Sequence, residues 1–173
     1  MTQCLTCGGR TKTQREKHYR YTECGLPNVV IEGAVKVTTC GRCGETYTSI
    51  PAIQGLHRQI AAAVIRKRGR LAPAEIRFLR KWLGWSGVDF AKRIGTKPET
   101  VSRWENARTA MGPSADRLLR LLVAKETPVM EYSVDVLAQL AADDRAARPV
   151  RVELEKGPKG WKFRDGPALV TAT

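Results

Sequence analysis

Two copies of one short pattern, Cys4-Leu-Thr-Cys7-Gly8 and Cys40-Gly-Arg-Cys43-Gly44, constrain this 173-residue chain more than any other feature. A Cys-x-x-Cys turn aims two thiolates at one point, and the glycine that follows tolerates the tight backbone there. Two such knuckles complete a tetrahedral site with Cys4, Cys7, Cys40 and Cys43 as ligands. Such a site is closed to substrate and therefore structural, and one Zn2+ is the expected ion. The segment between the knuckles has few large apolar residues, so metal binding would supply folding energy that a core cannot. Two local disulfides or redox pairs are the alternative, disfavoured in a cytoplasmic setting. With four donors already present, Cys24 reads as a small filler or a surface thiol, and His18 is likewise left out of the ligand set.

Between the knuckles the sequence alternates over Tyr19–Thr22, Val29–Glu32 and Val35–Thr38, with Gly25, Pro27 and Asn28 as breakers. This predicts a small antiparallel sheet that returns the second knuckle to the first. After Pro51 the period becomes helical. Ile53, Leu56, Ile60 and Val64 recur at three- and four-residue intervals up to Arg66-Lys67-Arg68-Gly69-Arg70, which reads as an amphipathic linker helix with a basic end. Pro73 opens a second helix carrying Ile76, Leu79 and Leu83 on one face.

The stretch from Gly84 to Asn106 carries the main functional signal. Ser86 can cap a short helix that buries Phe90, Ala91 and Ile94. Gly95 suits the left-handed turn that ends it, and Pro98 starts the next helix, whose Val101 and Trp104 point inward. A last helix, Ser114 to Ala124, contributes Leu118, Leu119, Leu121 and Leu122. At about 100° per residue, Glu99, Ser102, Arg103 and Asn106 lie opposite Val101 and Trp104. A recognition helix turns that face to the major groove. Arg103 is the first choice for a base contact, because guanidinium pairs bidentately with guanine. Lys97, Thr100, Arg108 and the helix start at Ser86 suit phosphates. Glu99 is ambiguous: it could accept from a cytosine amine or repel a phosphate.

Charge agrees with this placement. The net charge is +13, and residues 51–127 hold 16 Lys/Arg against 6 Asp/Glu, whereas residues 1–50 net +3 and residues 128–173 net zero. A localised basic block suits a polyanion, since each neutralised phosphate releases counterions. There is no apolar run long enough for a membrane span and no signal-peptide pattern at the N-terminus, so a cytoplasmic protein is expected. A sealed metal site and the lack of a nucleophile–base or carboxylate pair at short range argue against an enzyme.

The order of these parts, with Leu-x-Pro-x-Glu-Ile-Arg at residues 71–77 and Thr-Val-Ser-Arg-Trp-Glu-Asn at residues 100–106, resembles the YgiT-type zinc-finger/helix-turn-helix family, which includes MqsA-like antitoxins. The resemblance spans roughly Cys4 to Lys125, and its second half matches the broader Xre/Cro-like class. It implies a homodimer assembled through the C-terminal domains that represses its own operon from a palindromic operator. In antitoxin members it also implies a zinc domain that neutralises a protein toxin. Gly87 departs from the class, which usually has a polar, phosphate-contacting residue such as Gln there, and Lys97 holds a position often given to a capping Ser or Thr.

The expected architecture is thus α+β in two domains. A β-rich zinc-binding domain covers residues 1–50, and a basic linker helix residues 51–70. An all-α helix-turn-helix bundle follows over residues 71–127. Residues 128–173 form an extension, with a helix begun at Ser133 and a hairpin turning at Gly157-Pro158-Lys159-Gly160. For this extension a tail without fixed structure and a dimerisation or partner-binding element both remain open. An RNA- or ribosome-associated zinc ribbon is a more distant reading of the whole.

Overall fold

The computed structural model describes residues 3–126 and 151–164. The fold is α+β, with a β-rich N-terminal region followed by helices. The knuckle region contains a three-stranded antiparallel sheet in which β4 (Lys36–Cys40) lies between β1 (Thr11–Arg15) and β5 (Thr46–Ser49). A second sheet pairs β2 (His18–Arg20) with β3 (Val29–Glu32) and then takes β6 (Val152–Gly157) parallel to β3, closed by β7 (Gly160–Phe163). The single sheet expected between the knuckles is therefore two. β1 and β5 fall outside the apolar alternation because most of their residues stay exposed. No half-buried face exists there to write a period-2 pattern.

The C-terminal hairpin forms where its turn residues place it, with Gly157 opposite Gly160. It is not a tail. Val152 and Leu154 join Val29 and Ile31 in the core, so a strand from the end of the chain completes a sheet begun near its start. The helix expected from Ser133 lies outside the described residues.

Helix α1 (Ile53–Arg66) is helical as expected but is a core element rather than a linker. It buries Leu56, Ile60, Ala61, Val64 and Ile65 and touches α2 (Pro73–Trp82), α5 (Pro113–Glu126), β6 and β7. Each such Leu or Ile is worth about 1.5–3 kcal/mol of transfer free energy. Ile53, at its first turn, is 38% exposed, and Trp161 of β7 packs against that end of the helix. The Trp161 indole donates to the Ala52 carbonyl at 3.1 Å, and a Cβ on Gly55 would stand 3.3 Å from the ring.

The basic run after α1 is partly internal. Lys67 is buried and donates to Glu75 Oε2 at 2.7 Å, and the same oxygen accepts from the Ala72 amide at 2.7 Å. Arg120 is fully buried against Asp116 at 2.5 Å and donates to the carbonyls of Ile65, Lys67 and Gly69. Asp116 also accepts from the Leu71 amide at 2.7 Å. These bonds satisfy charges that would otherwise cost several kcal/mol each to desolvate. They fasten the segment between α1 and α2 onto α5.

The rest of the bundle consists of α3 (Gly87–Arg93) and α4 (Pro98–Glu105). Phe90, Ala91, Val101, Trp104, Leu119 and Val123 are buried. Leu121, expected in the core, is 48% exposed. The buried stripe of α5 runs through Asp116, Leu119, Arg120 and Val123, and Leu121 sits about 200° from Leu119 on a 3.6-residue helix.

Candidate metal centre and nucleic-acid interface

The two knuckles have the same backbone. The Cys4 amide donates to the Gly9 carbonyl and the Cys40 amide to the Glu45 carbonyl, while the Gly8 and Gly44 amides donate back to the carbonyls of Cys4 and Cys40. Gly8 and Gly44 both take positive φ, 70° and 75°, as the repeated glycine predicts. The β1–β4 pairing then sets the knuckles face to face, with Thr11 opposite Cys40.

The four sulfurs lie within 4.8 Å of one another, with Cys4–Cys43 at 3.7 Å and Cys7–Cys40 at 3.5 Å. A tetrahedral ion bound at about 2.3 Å, the zinc–thiolate length, separates its ligands by about 3.8 Å. The donor set therefore fits a structural metal ion. His18 instead pairs with Glu32 at 2.8 Å, and the half-buried Cys24 thiol donates to the Tyr21 carbonyl, its pKa pushed up by burial.

Two neighbours of the sulfurs escaped the sequence reading. The Tyr47 hydroxyl lies 3.2 Å from Cys4 Sγ and holds that thiol down, to about 6. Gly9 has no room for a side chain: a Cβ there would meet Arg42 Cβ at 2.8 Å and the sulfurs of Cys7 and Cys40 at 3.2 Å. Tyr47 sits in a strand without a readable period, and Gly9 follows a glycine already explained.

The second candidate site is the α3–turn–α4 unit. Ser86 caps α3 reciprocally: its hydroxyl accepts from the Asp89 amide at 3.1 Å, and Asp89 Oδ2 accepts from the Ser86 amide and hydroxyl. Those bonds, the Ser86 hydroxyl first, lower the Asp89 pKa. Gly95 ends α3 at φ 69°, and α4 begins at Pro98 with Lys97 as an N-cap lacking a side-chain bond. Val101 and Trp104 face inward, while Glu99, Ser102 and Arg103 are exposed and Thr100 is half-buried. This is the division expected from the spacing.

The cations around α4 separate into two groups. Arg80 binds Glu105 through Nε at 2.6 Å and Nη2 at 3.0 Å, and donates to the Trp85 carbonyl. The Glu105 hydrogen bond raises the Arg80 pKa further. Arg77 donates to the Glu105 carbonyl at 2.7 Å and to Asn106 Oδ1 at 3.1 Å. Asn106 in turn donates to the Ser102 carbonyl at 2.8 Å, so both ends of its amide are engaged in closing α4. Lys97, Arg103 and Arg108 are exposed and make no ion pair among the described residues. Lys67, Arg77, Arg80 and Arg120 thus leave the basic block as internal fasteners. Arg93 lies over the Trp85 ring at 4.7 Å.

A helix-turn-helix family model matches residues 76–124. This segment is a helix-turn-helix domain. Its boundaries take in most of α2 through most of α5, so the match includes the Glu105 clasp and the Asp116–Arg120 pair as well as α3 and α4. The helix-turn-helix supports a DNA-binding transcription regulator. No curated protein and no solved structure matches the chain. Among the described residues no helix is long and apolar enough to cross a membrane.

Proposed function

We propose that the chain regulates transcription by reading duplex DNA with α4, and that its four cysteines hold one structural Zn2+. One observation carries the DNA reading. Arg103 stands exposed on the outer face of the helix-turn-helix with no ion-pair partner among the described residues, whereas Arg77 and Arg80 beside it are tied to Glu105. A guanidinium left free on that face is available to guanine O6 and N7. Lys97, Thr100 and Arg108 supply phosphate contacts, and Glu99 and Ser102 border the bases. Ser86 and Asn106 serve by building the helix ends, with the start of α3 turned toward a phosphate.

The resemblance to YgiT-type regulators supports three finer points: a cytoplasmic homodimer, a palindromic operator, and repression of its own operon. The test is binding to a labelled duplex from the upstream region of its own gene, against scrambled duplex. Arg103→Ala is expected to cost about 1–3 kcal/mol and to relax specificity at one base pair. Equal affinity of the variant and the wild type for the operator would remove Arg103 from that role.

A second reading, an antitoxin that neutralises a protein toxin through residues 1–50, is favoured by Leu5, a leucine 91% exposed at the tip of the first knuckle. Co-expression with the adjacent gene product tests it. Absence of a complex together with no rescue of growth removes it.

A further inference from the structure

The sheet that carries the knuckles presents a row of cations that neither the metal nor the helix-turn-helix accounts for. In its register Arg15 stands opposite Lys36, and Lys36 opposite Ser49. All three are exposed and share one face. Like charges directly opposite each other in a sheet repel, and neither Arg15 nor Lys36 has an ion pair among the described residues. The adjoining row on the same face is Thr13, Thr38 and Tyr47; the Thr13 and Thr38 hydroxyls bond each other at 2.8 Å, and the Tyr47 hydroxyl is held by Thr6 and Cys4. The cysteine cluster cannot be what balances this charge. Cys40 is at the other end of β4 from Lys36, about 13 Å away at roughly 3.3 Å per residue, which exceeds a Debye length of about 8 Å at physiological salt.

We propose that this face is a second, sequence-independent contact surface for the phosphate backbone of duplex DNA, lying outside the segment that the helix-turn-helix reads. Exposed cations without an ion pair, beside the exposed Ser49 hydroxyl, are a donor set that positions a protein on phosphates. An acidic protein would offer the opposite charge as well; duplex DNA is favoured because the same chain carries a helix-turn-helix over residues 76–124. The surface is held rather than tethered. The amides of Glu16 and Gly33 donate to the carbonyls of Val35 and Lys17, joining the two sheets, and α1 packs the second sheet against the bundle. The choice of DNA as partner rests on the function proposed above.

The experiment compares the full-length, metal-loaded chain with an Arg15→Gln/Lys36→Gln variant. The two are titrated onto the upstream duplex with long flanks and onto the same duplex trimmed to the base pairs whose guanines depend on Arg103. Unchanged metal stoichiometry in the variant shows that its sheet is intact. On the long duplex the slope of log affinity against log salt is expected to fall by about 1.8, roughly 0.9 for each lost phosphate contact. On the trimmed duplex it is expected not to change. No fall, or the same fall on both duplexes, overturns the inference. If the wild type fails to prefer its upstream duplex over scrambled DNA, the operator reading fails instead. The slopes of the two proteins on scrambled duplex then decide the fate of the sheet surface.

Discussion

In the three-stranded sheet, Cys40 is the one buried residue among the fourteen of β1, β4 and β5, whereas α2 through α5 bury Ile76, Leu79, Phe90, Val101, Leu119 and Val123 together with a buried ion pair. Three strands without an apolar face are not expected to be stable alone. What the sheet has instead is four sulfurs gathered at one end. The bundle has side-chain volume and satisfied charge. With the proposed Zn2+ on those sulfurs, the two regions of one small protein would draw their stability from different sources, and each should fail to a different insult.

The largest expected effect is chelation. Stripping the metal should remove an apparent binding free energy on the order of 10 kcal/mol. Hydrogen exchange should then show lost protection in β1, β4 and β5 but retained protection in α2 to α5. Simultaneous loss in both regions would erase the contrast. Next in size is Asp116→Ala, which leaves Arg120 buried without its partner and should destabilise the bundle by about 3–5 kcal/mol in denaturant. Metal affinity should not change; a matching fall in it would mean that the regions are one cooperative unit.

Smaller still is Gly87→Ala. A Cβ at this first position of α3 meets nothing within 4 Å, so reduced backbone freedom in the unfolded chain should raise the thermal midpoint by the equivalent of about 0.5–1 kcal/mol. A lowered midpoint would show that the position needs glycine.

The last prediction concerns His57, which bonds Tyr21 at 2.8 Å and lies edge-on to Phe78. Burial holds its pKa below the usual 6.5, so the unfolded chain binds the proton more readily. The stability present above that value is lost as pH falls through the depressed one. His57→Gln should flatten the acid limb between those values, and an unchanged limb would assign it to other groups.

Legibility in the sequence follows the same division. Cysteine spacing names all four sulfurs because ligand chemistry is local, and the α3–α4 turn is readable because cap, glycine and proline each act on their neighbours. The faces of α4 follow from Val101 and Trp104 alone. β1 and β5 were not readable, since strands without a buried face carry no alternation. Nor could the union of β6 with β3 be read: pairing across 123 residues, as between Val29 and Val152, leaves no mark on either segment beyond a short apolar run. The buried roles of Lys67, Glu75, Asp116 and Arg120 were hidden for a third reason. A charged residue looks solvated until its partner is seen, and these partners are up to 55 residues apart.

The most direct test of the central claim, that α4 reads bases through Arg103, is guanine N7 methylation interference on the upstream duplex with wild type and Arg103→Ala. The account predicts that methylating one guanine in each half-site blocks the wild type, and that the variant, though weaker, is indifferent to that guanine. Interference at the same guanines for both proteins would contradict it and move base reading to another residue.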